Sequence, residues 1–278
     1  MVPSGRRVPV LILAAALSAW AAPASSAKNE PSALPERIRG RLSELSYAPA
    51  KKSDGLGSPE ALFAFYRQRR FEPAWTRDGL LLARADDLLW ALDGAGAEGL
   101  SREDYHFEAI RRLAAAVYGR NKKGKPAAAK DLADLDLYCS DAFVLCASHL
   151  LRGKVDRETL EPAWGLWPGE LALASYMGAA LFAEGVRDAL RGLVPVHAHY
   201  DRLRRAYLNA SGGKDEWPKV KPAPLAGEGE RGGRADDLRR ESLRRLRVNL
   251  ERWLWLPRDL GRSYILADVA DFRLDLYD

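Results

Sequence analysis

One cysteine and one histidine stand at a spacing that could support thiol chemistry. Cys146 and His149 are three residues apart, so on a helix their side chains are neighbours and could act as a thiolate and its base. The surrounding face is apolar, no third side chain is placed to orient the histidine, and no glycine-rich turn presents the thiol. We therefore interpret the pair as core packing, with a thiol enzyme as the alternative.

Two further sets contain the residue types of an active site. Ser140, Asp141 and His149 would lie on one helix, whereas triads are normally assembled from separate segments, so we reject a triad. His197, His199 and Asp201 alternate as on one face of a strand, but no recognised motif supplies a further metal ligand. Phosphate-binding glycine loops, zinc-protease, EF-hand and dinucleotide motifs are absent. The sequence thus predicts no catalytic, metal-binding or cofactor-binding residue, and no cofactor.

Closely spaced tryptophans are the remaining candidates for a binding surface. Trp164 lies near Trp167, and Trp253 near Trp255. Such pairs could stack on sugar rings, but aromatic residues flanked by proline and leucine more often pack in a core or between domains. Packing is the preferred interpretation, and sugar binding stays open.

Charge and cysteine placement limit the class of protein. The formal net charge of +5 falls to +3 without Arg6 and Arg7. A charge this small does not require a nucleic acid as binding partner, and it equally suits binding to a polyanionic cell-envelope surface.

Cys139 and Cys146 are seven residues apart on one predicted helix, about 10 Å at 1.5 Å per residue, which is too far for a disulfide. We expect both thiols to be buried and unpaired.

The N-terminal residues have the three parts of a secretory signal peptide. Arg6 and Arg7 form the positive region, residues 8–22 are apolar, and Ser25, Ser26 and Ala27 form a small-residue cleavage site. The apolar run is shorter than the roughly 20 residues that span a bilayer. We expect cleavage after Ala27 and a mature protein that is exported and does not span the membrane.

Hydrophobic periodicity predicts a mainly helical chain that ends in a short hairpin. The strongest helix spans 127–151, with a wide apolar stripe typical of a central, buried helix. A second helix is predicted to begin at Pro59 with Ser58 as its cap. The other predicted helices cover 35–45, 80–92, 104–117, 170–189, 199–209 and 235–253, the last with Leu238, Leu243, Leu246 and Leu250 on its apolar side. Residues 71–75 are predicted to be extended because of Pro73.

In the last residues the hydrophobic periodicity changes from that of a helix to that of a strand, which predicts two strands, 264–269 and 272–277. An isolated two-stranded hairpin is marginal in water, and Phe272, Leu274 and Leu276 would be exposed on it. We expect the hairpin to belong to an incomplete sheet, with packing onto the helical body as the alternative.

Several short segments follow one another in a characteristic order: residues 71–75 (Phe-Glu-Pro-Ala-Trp), 97–100 with 104–106, 135–143, and 150–155 with 162–164. Together these segments resemble the helical scaffold of the large bacterial L,D-transpeptidases. Residues 248–258 (Val-Asn-Leu-Glu-Arg-Trp-Leu-Trp-Leu-Pro-Arg) resemble the segment that leads into that family's catalytic domain, and 264–277 resemble its opening strands. The resemblance runs from about residue 34 to the end.

The resemblance implies a role in peptidoglycan cross-linking. In that family a catalytic cysteine, which stands in a Ser-x-Gly-Cys-x-Arg motif, joins the diaminopimelate side chains of two stem peptides. Neither Cys139 nor Cys146 stands in such a motif, so neither inherits that role. Residues 219–233 lie where many relatives insert a peptidoglycan-binding domain. The resemblance also implies the periplasm, and peptidoglycan, its stem peptides or wall-synthesis proteins as partners.

These observations predict a sequence of segments: a signal peptide at 1–27, a helix and linker at 28–57, a helical scaffold domain at 58–218, a flexible linker at 219–233, a connecting helix at 234–261, and the first strands of a truncated catalytic domain at 262–278. The leading hypothesis is the scaffold part of an L,D-transpeptidase that is inactive alone. The alternative is a non-catalytic periplasmic module that binds peptidoglycan or a wall-synthesis protein.

Overall fold

The computed structural model describes residues 33–47, 55–155, 171–183, 185–212, 233–258, 260–268 and 272–278. Its α-helices are α1 Ala33–Tyr47, α2 Pro59–Gln68, α3 Ala83–Gly94, α4 Phe107–Lys122, α5 Ala129–Arg152, α6 Leu173–Phe182, α7 Val186–Gly192, α8 Ala198–Ser211 and α9 Gly233–Leu254. The strands are β1 Thr76–Arg77, β2 Leu80–Leu81, β3 Tyr264–Asp268 and β4 Arg273–Tyr277, in two antiparallel hairpins. The predicted fold class, mainly helical with a short C-terminal hairpin, is confirmed.

Helix α5 is the centre of the molecule, as its apolar stripe predicts. It packs against α1, α2, α3, α4, α6, α7 and α9. Apolar side chains from these helices, including Leu135, Phe143 and Leu150 of α5 itself, share one buried cluster. A second cluster joins α8 to α9 through Tyr200, Tyr207, Leu243, Leu250 and Leu254.

Carboxylates on α5 are buried because they bind the main chain of distant segments. The fully buried Asp136 accepts hydrogen bonds from the N–H groups of Ala74 and Trp75, at 2.7 and 2.9 Å, and from the hydroxyl of Tyr66 at 2.8 Å. These bonds replace the water that a buried charge loses. Asp136 therefore fixes the extended segment that Pro73 begins.

The helix predicted over 80–92 begins later, at Ala83, because Leu80 and Leu81 belong to a tight hairpin. Asp78 and Gly79 have positive φ angles of 53° and 73°, the combination that a two-residue type I′ turn requires. The turn pairs Thr76 with Leu81 and Arg77 with Leu80.

Two other helical predictions need correction. The helix predicted over 170–189 is two helices, α6 and α7, with Gly185 as the residue that precedes α7. In α9, Leu243 and Leu250 are buried, but Leu238 is 63% exposed. Five residues correspond to 500° of helix rotation, so Leu238 lies about 140° away from Leu243 around the axis.

Several sequence-based predictions lie outside the described residues. They are the signal peptide at 1–27, most of the linker at 219–233, and the pair Trp164 and Trp167. The segment boundaries stay predictions. Within the described residues, each helix is either too short or too polar to cross a lipid bilayer.

Candidate functional site

The structure does not support a thiol active site at Cys146 and His149. Burial raises the pKa of Cys146 to about 12, so the reactive thiolate is on the order of one part in 10⁵ at pH 7. Burial, with Lys154 nearby, lowers the pKa of His149 to about 4, and its Nδ1 lies 3.0 Å from the Tyr105 hydroxyl oxygen. Cys139 is also buried, and both cysteines are unpaired, as predicted.

Ser140 and Asp141 face different partners, so the rejected triad has no structural basis. Ser140 Oγ accepts the indole N–H of Trp75 at 2.8 Å. Asp141 accepts the backbone N–H groups of Gly57 and Ser58 at 2.9 and 2.8 Å, and its Oδ2 lies 2.7 Å from Nε2 of His106. Asp141 thus anchors the start of α2.

His197 and His199 lie at the start of α8 and not on a strand, which corrects the interpretation of their alternation. His197 is the N-cap residue of α8: its Nδ1 accepts the backbone N–H of His199 at 3.2 Å. The two rings lie side by side with centroids 5.2 Å apart. Asp201 pairs with Arg205 at 2.5 Å. No group of three potential metal ligands occurs among the described residues.

The two histidines connect the helical body to the C-terminal hairpin. Nε2 of His197 lies 2.6 Å from the Tyr264 hydroxyl oxygen on β3, and Nε2 of His199 lies 2.7 Å from the Tyr277 hydroxyl oxygen on β4. Tyr264 and Tyr277 are register partners whose rings stack with centroids 4.6 Å apart. Each strand is therefore attached to the same end of α8.

The hydrogen bonds of His197 define its protonation state. Since Nδ1 accepts a backbone N–H, the neutral ring carries its proton on Nε2 and donates it to the Tyr264 oxygen. The hydroxyl proton of Tyr264 remains available to another acceptor. Burial, with His199 and Arg202 nearby, lowers the pKa of His197, which favours this neutral state.

Trp253 supports the histidine pair from α9. Its ring stacks on His197 with centroids 5.0 Å apart, whereas Trp255 is only 4% exposed. Trp255 is therefore buried and the partly buried Trp253 packs on the histidine pair, in agreement with the preferred interpretation of this pair as packing residues.

The segment after α9 is fixed to the end of α5. Arg258 Nη2 donates to the carbonyl oxygens of Leu150 and Leu151, the latter at 2.9 Å. It thus caps carbonyl groups in the last turn of α5, where no further helical N–H group is available to bond them. Glu251 Oε1 accepts the backbone N–H of Val155 at 2.9 Å. Two strings that carry the family resemblance, 150–155 and 248–258, thus contact each other.

These contacts of His197, His199, Glu251 and Arg258 together form a junction that places β3 and β4 in a defined orientation on the helical body. The sequence singled out His197, His199 and Trp253 as candidates, but it did not predict that Tyr264 and Tyr277 bind the two histidines. It also did not predict the contacts of Glu251 and Arg258. The one signal for Tyr277 is the alternation along β4, which puts it on the face opposite Leu274 and Leu276.

Comparison with known proteins identifies the helical part of the chain. Residues 60–206, which run from α2 into α8, match the family described as Scaffold domain. No curated protein and no solved structure matches. The match covers more than half of the 278 residues, and the chain belongs to the Scaffold domain family.

Proposed function

We propose that this chain is the scaffold part of a peptidoglycan L,D-transpeptidase, and that the β3–β4 hairpin is the opening of the catalytic sheet. The Scaffold domain match supports the helical part of this proposal. The resemblance of residues 248–258 to the segment that leads into the catalytic domain supports the rest. In this proposal the helical body holds the hairpin in place for the remaining strands.

The observation that carries the proposal is the difference between the two faces of the hairpin. Tyr264 and Tyr277 are bonded to the helical body. Ile265, Leu274 and Leu276 are on the other face and are 67%, 72% and 69% exposed. A two-stranded hairpin with an exposed apolar face gains stability when further strands or a packing layer cover that face.

In this proposal a cysteine outside this sequence carries out the chemistry, since Cys139 and Cys146 are buried and neither stands in the family's nucleophile motif. The proposed cellular location is the periplasm, from the signal-like residues 1–27. Peptidoglycan stem peptides are the proposed substrate of the assembled enzyme.

A complementation experiment tests the proposal. The chain is incubated with disaccharide-tetrapeptide fragments of peptidoglycan, alone or with an L,D-transpeptidase catalytic fragment that begins just after the strand matching β4. Mass spectrometry then measures dimers cross-linked between diaminopimelate residues. We expect no product from the chain alone, and more product from the mixture than from the fragment alone.

Two matched variants make the test specific to the hairpin. Leu274→Glu places a charge on its exposed apolar face, whereas Leu238→Glu places one at a similarly exposed position on α9. We expect only Leu274→Glu to remove the stimulation. Cross-linking by the chain alone, no stimulation, or equal loss in both variants would contradict the proposal.

A further inference from the structure

A cleft of about 500 Å³ opens between the start of α8, the segment after α9 and the hairpin. Its volume lies within the range of small-molecule sites. Half of its fourteen described lining residues are apolar residues or glycine, and the other half are two arginines, two histidines, two tyrosines and one tryptophan. Neither Asp nor Glu occurs among these fourteen.

We propose that this cleft binds a small anionic ligand in which a carboxylate or phosphate group adjoins an apolar group. The inference does not depend on the transpeptidase assignment, because it uses only the charge and shape of the cleft. Apolar walls with a few converging polar groups are typical of small-molecule sites, and here every charged group is a cation.

Arg202 is the exposed cation of the cleft. The neighbouring Arg204 and Arg205 pair with Glu98 and Asp201, at 2.7 and 2.5 Å, but Arg202 has no ion pair with any residue that the structure describes. Its guanidinium therefore keeps all its donors for a ligand, and a planar guanidinium suits carboxylates and phosphates.

Arg258 adds a second positive charge to the lining of the cleft. Its Nε and Nη1 atoms are buried and have no acceptor among the described residues, while Nη2 binds neutral carbonyl groups. Arginine does not deprotonate in proteins, so this charge is not compensated within the described part of the chain. A charge in such a partly buried position is screened less than one on the open surface.

Tyr264 supplies a neutral donor on the hairpin side. Because its oxygen accepts the proton on His197 Nε2, its own hydroxyl proton is available to a ligand. A ligand bound to Arg202 and Tyr264 would connect the helical body to β3. Binding would therefore also stabilise the hairpin in its observed position.

Three ring-matched probes test the inference on the purified chain at pH 7.5 and low ionic strength. Benzoate carries a carboxylate, phenyl phosphate carries a phosphate, and benzamide is the neutral match. Dissociation constants come from NMR titrations of the probe signals. We expect at least one anionic probe to bind at least tenfold more tightly than benzamide, and the tighter of the two identifies the preferred anion.

The variants Arg202→Gln and Arg205→Gln form a matched pair on α8, since only Arg202 lines the cleft. We expect Arg202→Gln to weaken binding of the preferred anion about tenfold, the usual scale for one charged hydrogen bond, and Arg205→Gln to leave it within twofold. Both changes are on the exposed surface, so circular dichroism should show an unchanged fold. Binding of benzamide as tight as that of both anions, no binding of either anion, or equal effects of the two variants would overturn the inference.

Discussion

The hydroxyl oxygen of Tyr264 lies 2.6 Å from Nε2 of His197, across 67 positions of sequence. The bond joins the first strand of the hairpin to the N-cap of α8. Tyr277 and His199 repeat the arrangement on the second strand, so the hairpin is attached at two points on one face. Its opposite face is apolar and exposed.

Removal of the two tyrosine hydroxyls should loosen the hairpin and leave the helical body intact. Tyr264→Phe combined with Tyr277→Phe keeps the stacked rings but deletes both bonds to the histidines, each of which contributes about 1 kcal/mol. We expect amide hydrogen exchange of β3 and β4 to accelerate about tenfold or more, and exchange of α5 to stay unchanged. Tyr118→Phe, at a 70% exposed position on α4, is the control and should change neither. Unchanged exchange of the hairpin in the double variant would exclude this attachment.

His149 should make the stability of the helical body depend on pH. Burial lowers its pKa to about 4 in the folded chain, below the ordinary value of 6.5, so the unfolded chain binds the proton more tightly. The resulting stabilisation is complete above pH 6.5 and decreases as the pH falls toward 4. We expect a loss of about 2 kcal/mol between pH 7 and pH 5, measured by urea unfolding.

His149→Gln provides the comparison for that titration. Glutamine does not titrate, so the variant should lose clearly less stability over the same interval than the parent chain. Equal pH dependence of the two proteins would show that other groups cause it. An NMR titration of the His149 ring should place its midpoint near pH 4.

Local periodicity predicted most helices because their burial follows 3.6-residue spacing, and α5 illustrates this best. It did not predict why Asp136 and Asp141 are buried on that helix. Their partners are main-chain N–H groups at 57–58 and 74–75, which come together with α5 only in the folded chain. The same limit applies to the tyrosine–histidine bonds of the junction.

Two differences between prediction and structure involve signals that the sequence does contain. The Asp78-Gly79 dipeptide is typical of a type I′ hairpin, so the leucines that follow it belong to a strand and not to the start of a helix. Leu238 and Leu243 share a residue type, but their angular separation puts them on different faces of α9. In both places backbone geometry, and not residue type, decides the structure.

The cysteines should be inert in the native chain. Both are fully buried, and burial raises the pKa of each thiol. We expect no labelling by a small alkylating agent or disulfide reagent at pH 7 over hours, and labelling of two thiols within minutes in guanidinium chloride. Rapid labelling of Cys146 in the folded chain would instead favour the alternative of a thiol enzyme.

Gly153 should be the most sensitive glycine at the contact between α5 and the segment after α9. Its φ angle is +81°, and an added Cβ would lie 2.5 Å from Glu251 Oε1 and 2.6 Å from Trp255 Nε1. With a ψ angle of 165°, Gly153 is in a backbone conformation essentially restricted to glycine, so Gly153→Ala combines backbone strain with a clash against side chains of α9 and the segment that follows it. We expect a loss of about 2 to 4 kcal/mol in the free energy of unfolding.

Gly124→Ala measures the cost of a positive φ angle without a clash. Gly124 also has a positive φ, +65°, but an added Cβ would meet no atom within 4 Å, so that variant should lose only about 1 kcal/mol. The difference between the variants measures the clash with Glu251 and Trp255 together with the strain that the ψ angle of 165° adds at Gly153. If the two losses were equal, backbone strain alone would explain both, and the contact would not require the absence of a side chain at position 153. A larger loss at Gly153 would mean that position 153 tolerates only glycine, because α5 contacts there the segment that leads to the hairpin.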